Sequence, residues 1–109
     1  MSDGFQEREK GFERKFQLDQ DQQFRAQARR DKIFGQWAAS KLGHTGPAAD
    51  TYAAAVADSN FEKPGDDDML GKVKADFKLA NVTVSDAELA TKLRECFALA
   101  AEQIAGAKT

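Results

Sequence analysis

Few residues in this chain have the types and spacing that do chemistry. There is one histidine, His44, and one cysteine, Cys96. Asp66, Asp67 and Asp68 form the densest carboxylate cluster. Three adjacent acids resemble a fragment of a cation site, but a calcium loop needs alternating acids, a glycine and a distant glutamate. At a helix start the same acids favour the positive end of the dipole, and capping is the reading preferred here. His44 lies in a Gly-rich turn, with no second and third group beside it to make a catalytic set. Cys96 falls on an apolar helical stripe and reads as a small core residue with an inert thiol. No Gly-rich phosphate loop and no paired His/Cys ligands appear, so catalytic residues and metal ligands are both predicted to be none. A small basic cluster remains, Arg29, Arg30 and Lys32, with Asp31 interleaved. It reads as a solvated helix face, or else as an anchor for an acidic partner surface or a phosphate.

The elements that must position these residues are helical. With 109 residues the chain is one domain by length. It holds two prolines, neither before Pro47, and is rich in alanine, which favours helix. Net charge is −2, with eight basic and seven acidic residues in 1–32. That balance gives no polybasic stripe for nucleic acid. A single cysteine excludes an internal disulfide and fits a reducing compartment. The start of the chain is too polar for a signal peptide, and no apolar run approaches a membrane span, so a soluble, intracellular protein is expected.

Residues 5–42 organise the rest. They contain no proline, and as one helix they would span about 57 Å, far more than the roughly 23–30 Å of the other predicted helices. The first half must therefore overhang, and it carries Phe5, Phe12 and Phe16, spaced by seven and four on one helical face. The predicted architecture is all-α: residues 1–18 as a flexible, transiently helical arm, and residues 19–109 as a four-helix bundle. The helices are placed at about 19–42, 47–60, 66–79 and 85–105, with consecutive helices antiparallel neighbours.

Within the bundle, Phe24, Ala28, Ile33, Phe34, Trp37, Ala38 and Leu42 form the predicted inner face of the first helix. Asp19 or Asp21 supplies its N-terminal charge, Gly43 its C-terminal turn, and Gly35 a point of close helix approach. The second helix turns Ala49, Tyr52, Ala53 and Val56 inward. The third buries Met69, Leu70, Val73 and Phe77, and the fourth Leu89, Leu93, Cys96, Phe97, Ala100 and Ile104. Ser85-Asp86-Ala87-Glu88 is a capping box, with Val84 and Leu89 as its staple.

The arm's Phe5, Arg8, Glu9, Phe12, Glu13, Lys15 and Phe16 form the pattern F-x-x-R-E-x-x-F-E-x-K-F. With Phe24, Ala28, Arg29, Arg30 and Lys32, and then the G-x-W-A-A-x-x-L-G of Gly35 to Gly43, it resembles the ATPase inhibitor zeta subunit of alphaproteobacterial ATP synthases. That helical-bundle family is also catalogued as a conserved domain of unknown function. Weaker similarity continues through Tyr52, Val56, Phe61 and the Asp66-to-Val73 segment. The resemblance implies a regulator and not an enzyme. Its partners would be the catalytic and non-catalytic head subunits and the central stalk of the F1-ATPase, at the cytoplasmic face of the bacterial inner membrane, with no membrane insertion. It also implies that the arm enters a catalytic interface and blocks rotation in the hydrolytic direction. On that reading the partner-binding residues are Phe5, Arg8, Glu9, Phe12, Glu13, Arg14, Lys15 and Phe16, with Arg29, Arg30 and Lys32 as a secondary docking or phosphate contact. No resident cofactor is expected. The alternatives are a bundle that senses nucleotide, binding ADP or ATP weakly through that basic cluster, and a helical adaptor for another complex.

Overall fold

The computed structural model describes residues 18–62 and 65–106. These form an all-α four-helix bundle: α1 (Gln20–Lys41), α2 (Gly46–Glu62), α3 (Asp67–Leu79) and α4 (Asp86–Gly106). No strand occurs among the described residues. The arm predicted at residues 1–18 lies outside them except for Leu18.

Helix α1 does not continue smoothly into the segment before it. Asp19 is its N-cap, extended at φ −72° and ψ 177°. Its carboxylate accepts from the Gln22 amide at 2.7 Å, while the Asp19 amide donates to Gln22 Oε1 at 3.0 Å. This reciprocal capping box satisfies donors that a helix start otherwise leaves open. The first helix, expected at about 19–42, is thus capped at Asp19 and runs over Gln20–Lys41. At the other end, Gly43 (φ 85°) closes a Schellman turn: its amide reaches the Ser40 carbonyl, and the His44 amide reaches that of Ala39 at 2.9 Å. Asn81 (φ 61°) does the same for α3, with the Val82 amide on the Phe77 carbonyl.

The chain runs up and down. Gly35 of α1 faces Ala53 and Val56 of α2, and Asp31 faces Asn60, so these helices are antiparallel. Tyr52 bonds Asp76 on α3, again an antiparallel pairing. Helix α4 returns antiparallel along α1, marked by Arg29–Gln103 and by Lys92 over the Trp37 ring. Its backbone lies chiefly against α1 rather than α3, although consecutive helices were expected to be the neighbours. Helices α3 and α4 meet instead through side chains, including a Lys74–Asp86 ion pair at 2.9 Å.

The core gathers Phe34 and Ala38 from α1, Val56 from α2, Met69, Val73 and Phe77 from α3, and Leu89, Leu93 and Cys96 from α4. Trp37 stacks on Phe34 and meets Phe77 edge-on, at 5.5 and 5.8 Å between centroids. Each ring adds contact energy beyond the area it hides from water.

Three local expectations are corrected. Phe24, predicted inward, is 61% exposed, because the buried line in that half of α1 runs through Gln22, Ala26 and Arg30. Helix α2 continues to Glu62, past the break expected at Phe61. Asp66 stands at the N-cap of α3 but makes no capping bond there, since its carboxylate faces Arg30 and Asn60.

Candidate functional site

The basic cluster does not form one face. Arg29 is exposed and donates to Gln103 of α4 at 3.0 Å. Lys32 is exposed. Arg30 is buried, one helical turn from Ala26 and from Phe34, which places it on the apolar stripe. Its guanidinium bonds Asp31 Oδ1 through Nε at 2.9 Å and reaches Asp66 Oδ1 through Nη2 at 2.8 Å. Asn60 completes the group, giving its amide protons to Asp31 Oδ2 at 2.8 Å and Asp66 Oδ1 at 3.1 Å. Burial alone would lower the Arg30 pKa, but the hydrogen bonds and charges of Asp66 and Asp31 outweigh it and leave the value raised. Arg30 is a buried cation fixing α1 to the α2–α3 connection, where a lone charge would be costly to hide.

A cavity of about 330 Å³ opens beside this network, between Phe24, Ala28, Asp31, Asn60 and Asp66. A phosphate entering here would meet two carboxylates whose one guanidinium is already engaged. Arg29, Arg30 and Lys32, the expected phosphate contact, line neither of the two cavities described among these residues. Among the described residues, the buried Asn60 Oδ1 has no hydrogen-bond partner.

A second cavity, of about 380 Å³, lies at the opposite end of the bundle, among Leu42, His44, Tyr52, Lys72 and Asp76. The Tyr52 hydroxyl donates to Asp76 Oδ2 at 2.7 Å, and Lys72 pairs with the same oxygen at 3.2 Å. Burial, reinforced by Asp76, raises the Tyr52 pKa, so the ring is a neutral donor. His44 is exposed, with its ring 5.5 Å from that of Tyr52. On α4, Cys96 is buried and its pKa is raised, first by burial, which favours the thiol over the reactive thiolate.

Among the described residues, no group of three or more His, Cys, Asp or Glu is arranged to hold a metal ion. No helix there is long and apolar enough to cross a membrane. Polarity alone assigns Arg30 and Asp31, like Arg29 and Lys32, to the surface, and so hides the buried network. The signal available was positional, since Arg30 continues the Ala26–Phe34–Ala38 line. The Asp19–Gln22 box was half seen, as a helix-start charge without its glutamine.

Phe5, Arg8, Glu9, Phe12, Glu13, Arg14, Lys15 and Phe16 all lie outside the described residues. What bears on them is comparison with known proteins. None of the curated proteins matches the chain. The family model described as ATPase inhibitor subunit zeta matches residues 1–103, taking in the arm together with all of α1, α2 and α3 and most of α4. This chain belongs to the ATPase inhibitor subunit zeta family.

Proposed function

We propose that this protein restrains ATP hydrolysis by the F1 head of a bacterial ATP synthase, with residues 1–18 as the inhibitory element and the bundle as its anchor. The observation that carries this reading is the family match, which extends over residues 1–103 and so includes the arm as well as the bundle. The arm's composition supports it. In a helix, Phe5, Phe12 and Phe16 would share one face, flanked by Arg8, Glu9, Glu13, Arg14 and Lys15. Inserted as a helix between a catalytic and a non-catalytic subunit near the central stalk, that face would oppose rotation in the hydrolytic direction. The protein would then act at the cytoplasmic face of the inner membrane, as a regulator with no chemistry of its own.

Energetics show why a bundle accompanies the arm. Burying three phenylalanines yields roughly 5–9 kcal/mol. Ordering about a dozen residues costs on the order of 12 kcal/mol or more. Rings alone do not hold the arm in place, so charged pairs and a second contact from the bundle must add to them.

The test is ATP hydrolysis by the purified head with the full chain, with residues 2–18 deleted, and with Phe12→Ala or Phe16→Ala. Deletion is expected to abolish inhibition while the bundle still melts cooperatively. Each alanine variant is expected to weaken inhibition far more than it lowers the melting temperature. Inhibition retained by the deleted protein would overturn the role given to the arm.

A further inference from the structure

Two backbone groups decide whether α1 can reach further toward the start of the chain, and side chains already hold both. In an α-helix each amide donates to the carbonyl four residues before it. The bond that would carry α1 back past Asp19 therefore runs from the Gln22 amide to the Leu18 carbonyl. The Gln22 amide instead donates to Asp19 Oδ1 at 2.7 Å, and the Leu18 carbonyl accepts from Gln23 Nε2 at 3.3 Å. The Asp19 amide, which a longer helix would also use, donates to Gln22 Oε1 at 3.0 Å. Asp19 is extended at ψ 177°. To join the helix it would have to turn through roughly 140° about that bond. Gln22 is buried, which fixes the side chain that closes the box. No proline or glycine stands nearby to force a stop, and Gln17, Leu18 and Gln20 are good helix formers. The stop is imposed by three polar side chains in the pattern D-x-x-Q-Q.

We infer that Asp19, Gln22 and Gln23 form a joint between the bundle and the inhibitory segment, so that the segment takes the direction of its site in the head without turning the bundle. This rests on the proposed function and deepens it, since two linked contacts reinforce each other only when the link allows both at once. With the joint intact, the orientation of α1 does not dictate that of the segment. With its bonds removed, α1 propagates back through Asp19 and the two move as one rod.

Three full-length proteins test this: the wild type, Asp19→Ala, and Asp19→Asn, because asparagine caps a helix as well as aspartate does but carries no charge. The first readout is the NMR Cα secondary shift at positions 18 and 19 of each free protein. The wild type and Asp19→Asn are expected to give non-helical shifts there. Asp19→Ala is expected to raise the helical population at those positions about fivefold, the usual effect of losing a cap. The second readout is ATP hydrolysis by the purified head. Asp19→Ala is expected to inhibit more weakly by up to the same factor, because affinity scales with the population of the competent form, and Asp19→Asn is expected to inhibit like the wild type. Non-helical shifts retained in Asp19→Ala overturn the joint. Helical shifts with undiminished inhibition overturn its part in docking, and so does an equal loss of inhibition in Asp19→Asn, which assigns the effect to charge. A wild-type chain that does not inhibit overturns the proposed function instead, while the shifts still decide the joint.

Discussion

A methyl group on Gly35 would have nowhere to go. Its carbon would stand 2.7 Å from the Ala53 Cα and 3.1 Å from the Val56 Cβ, and the nearer obstacle is backbone. Gly35→Ala gains the intrinsic helix preference of alanine, about 1 kcal/mol. It also forces α1 and α2 apart, and overpacking of this kind typically costs about 1–3 kcal/mol. The variant is expected to melt lower by several degrees, whereas Gly71→Ala on α3, with open space around it, is expected to melt higher. Thermal melts of the two side by side check the contrast, and a stabilised Gly35→Ala would contradict it. Tyr52 offers a pH test. Its pKa is raised by burial and by the bond to Asp76, so the folded protein holds the phenolic proton more tightly than the unfolded chain does. That contribution is complete below the ordinary tyrosine value of about 10 and is lost as pH climbs above it. Melting temperature is expected to fall more steeply above pH 10 in the wild type than in Tyr52→Phe, and parallel curves would refute the argument. At this scale the sequence showed Gly35 as a contact point, because a glycine inside an apolar period invites one. It hid Arg30 and Asp31, because charged residues are assigned to the surface unless their helical position is weighed against their polarity.

Where apolar periodicity was unbroken, the helices were legible. The stripes of α3 and α4 carry apolar residues every third or fourth position, and Met69, Val73, Phe77, Leu89, Leu93, Cys96, Ala100 and Ile104 are buried as expected, while Leu70 and Phe97 are half-buried. The box before α4 forms as read: the Glu88 amide donates to Ser85 Oγ at 3.1 Å, and the Ser85 amide to Glu88 Oε1 at 3.4 Å. The first half of α1 was misread by one face, since its buried line consists of a glutamine, an alanine and an arginine while the visible Phe24 points outward. The start of α1 is the element-level feature with the clearest consequence. Asp19 and Gln22 bond each other reciprocally where the helical pattern would otherwise run on. Asp19→Ala is expected to lower stability by about 1 kcal/mol, the usual worth of such a cap. Chemical denaturation measures it, and an unchanged midpoint would show that the cap carries no stabilisation here.

As a molecule, the described part of the chain after Leu18 is a four-helix bundle. The described core draws on all four helices, which is why removing residues 2–18 is expected to leave it standing. The fold class followed from composition and period alone. The pairing of α4 with α1 did not, because short connections limit which helices can be adjacent without choosing between α1 and α3 as the closer partner of the last one. The proposed inhibitory segment rests on the arm's aromatic spacing and the family match, whereas the cavity lined by residues 28, 31, 60 and 66 has no local pattern in the chain.

The antiparallel order of the helices has a practical corollary. Arg29–Gln103 and Asn60–Asp31 put the root of the arm, the α2–α3 connection and Gly106 at one pole, and leave the turns at Gly43 and Asn81 at the other. An affinity handle or fluorophore fused beyond Gly106 would crowd the pole where α1 begins, from which the proposed inhibitory arm departs. Immobilised through the turn at His44 or at Thr83, the same protein would leave that pole unobstructed.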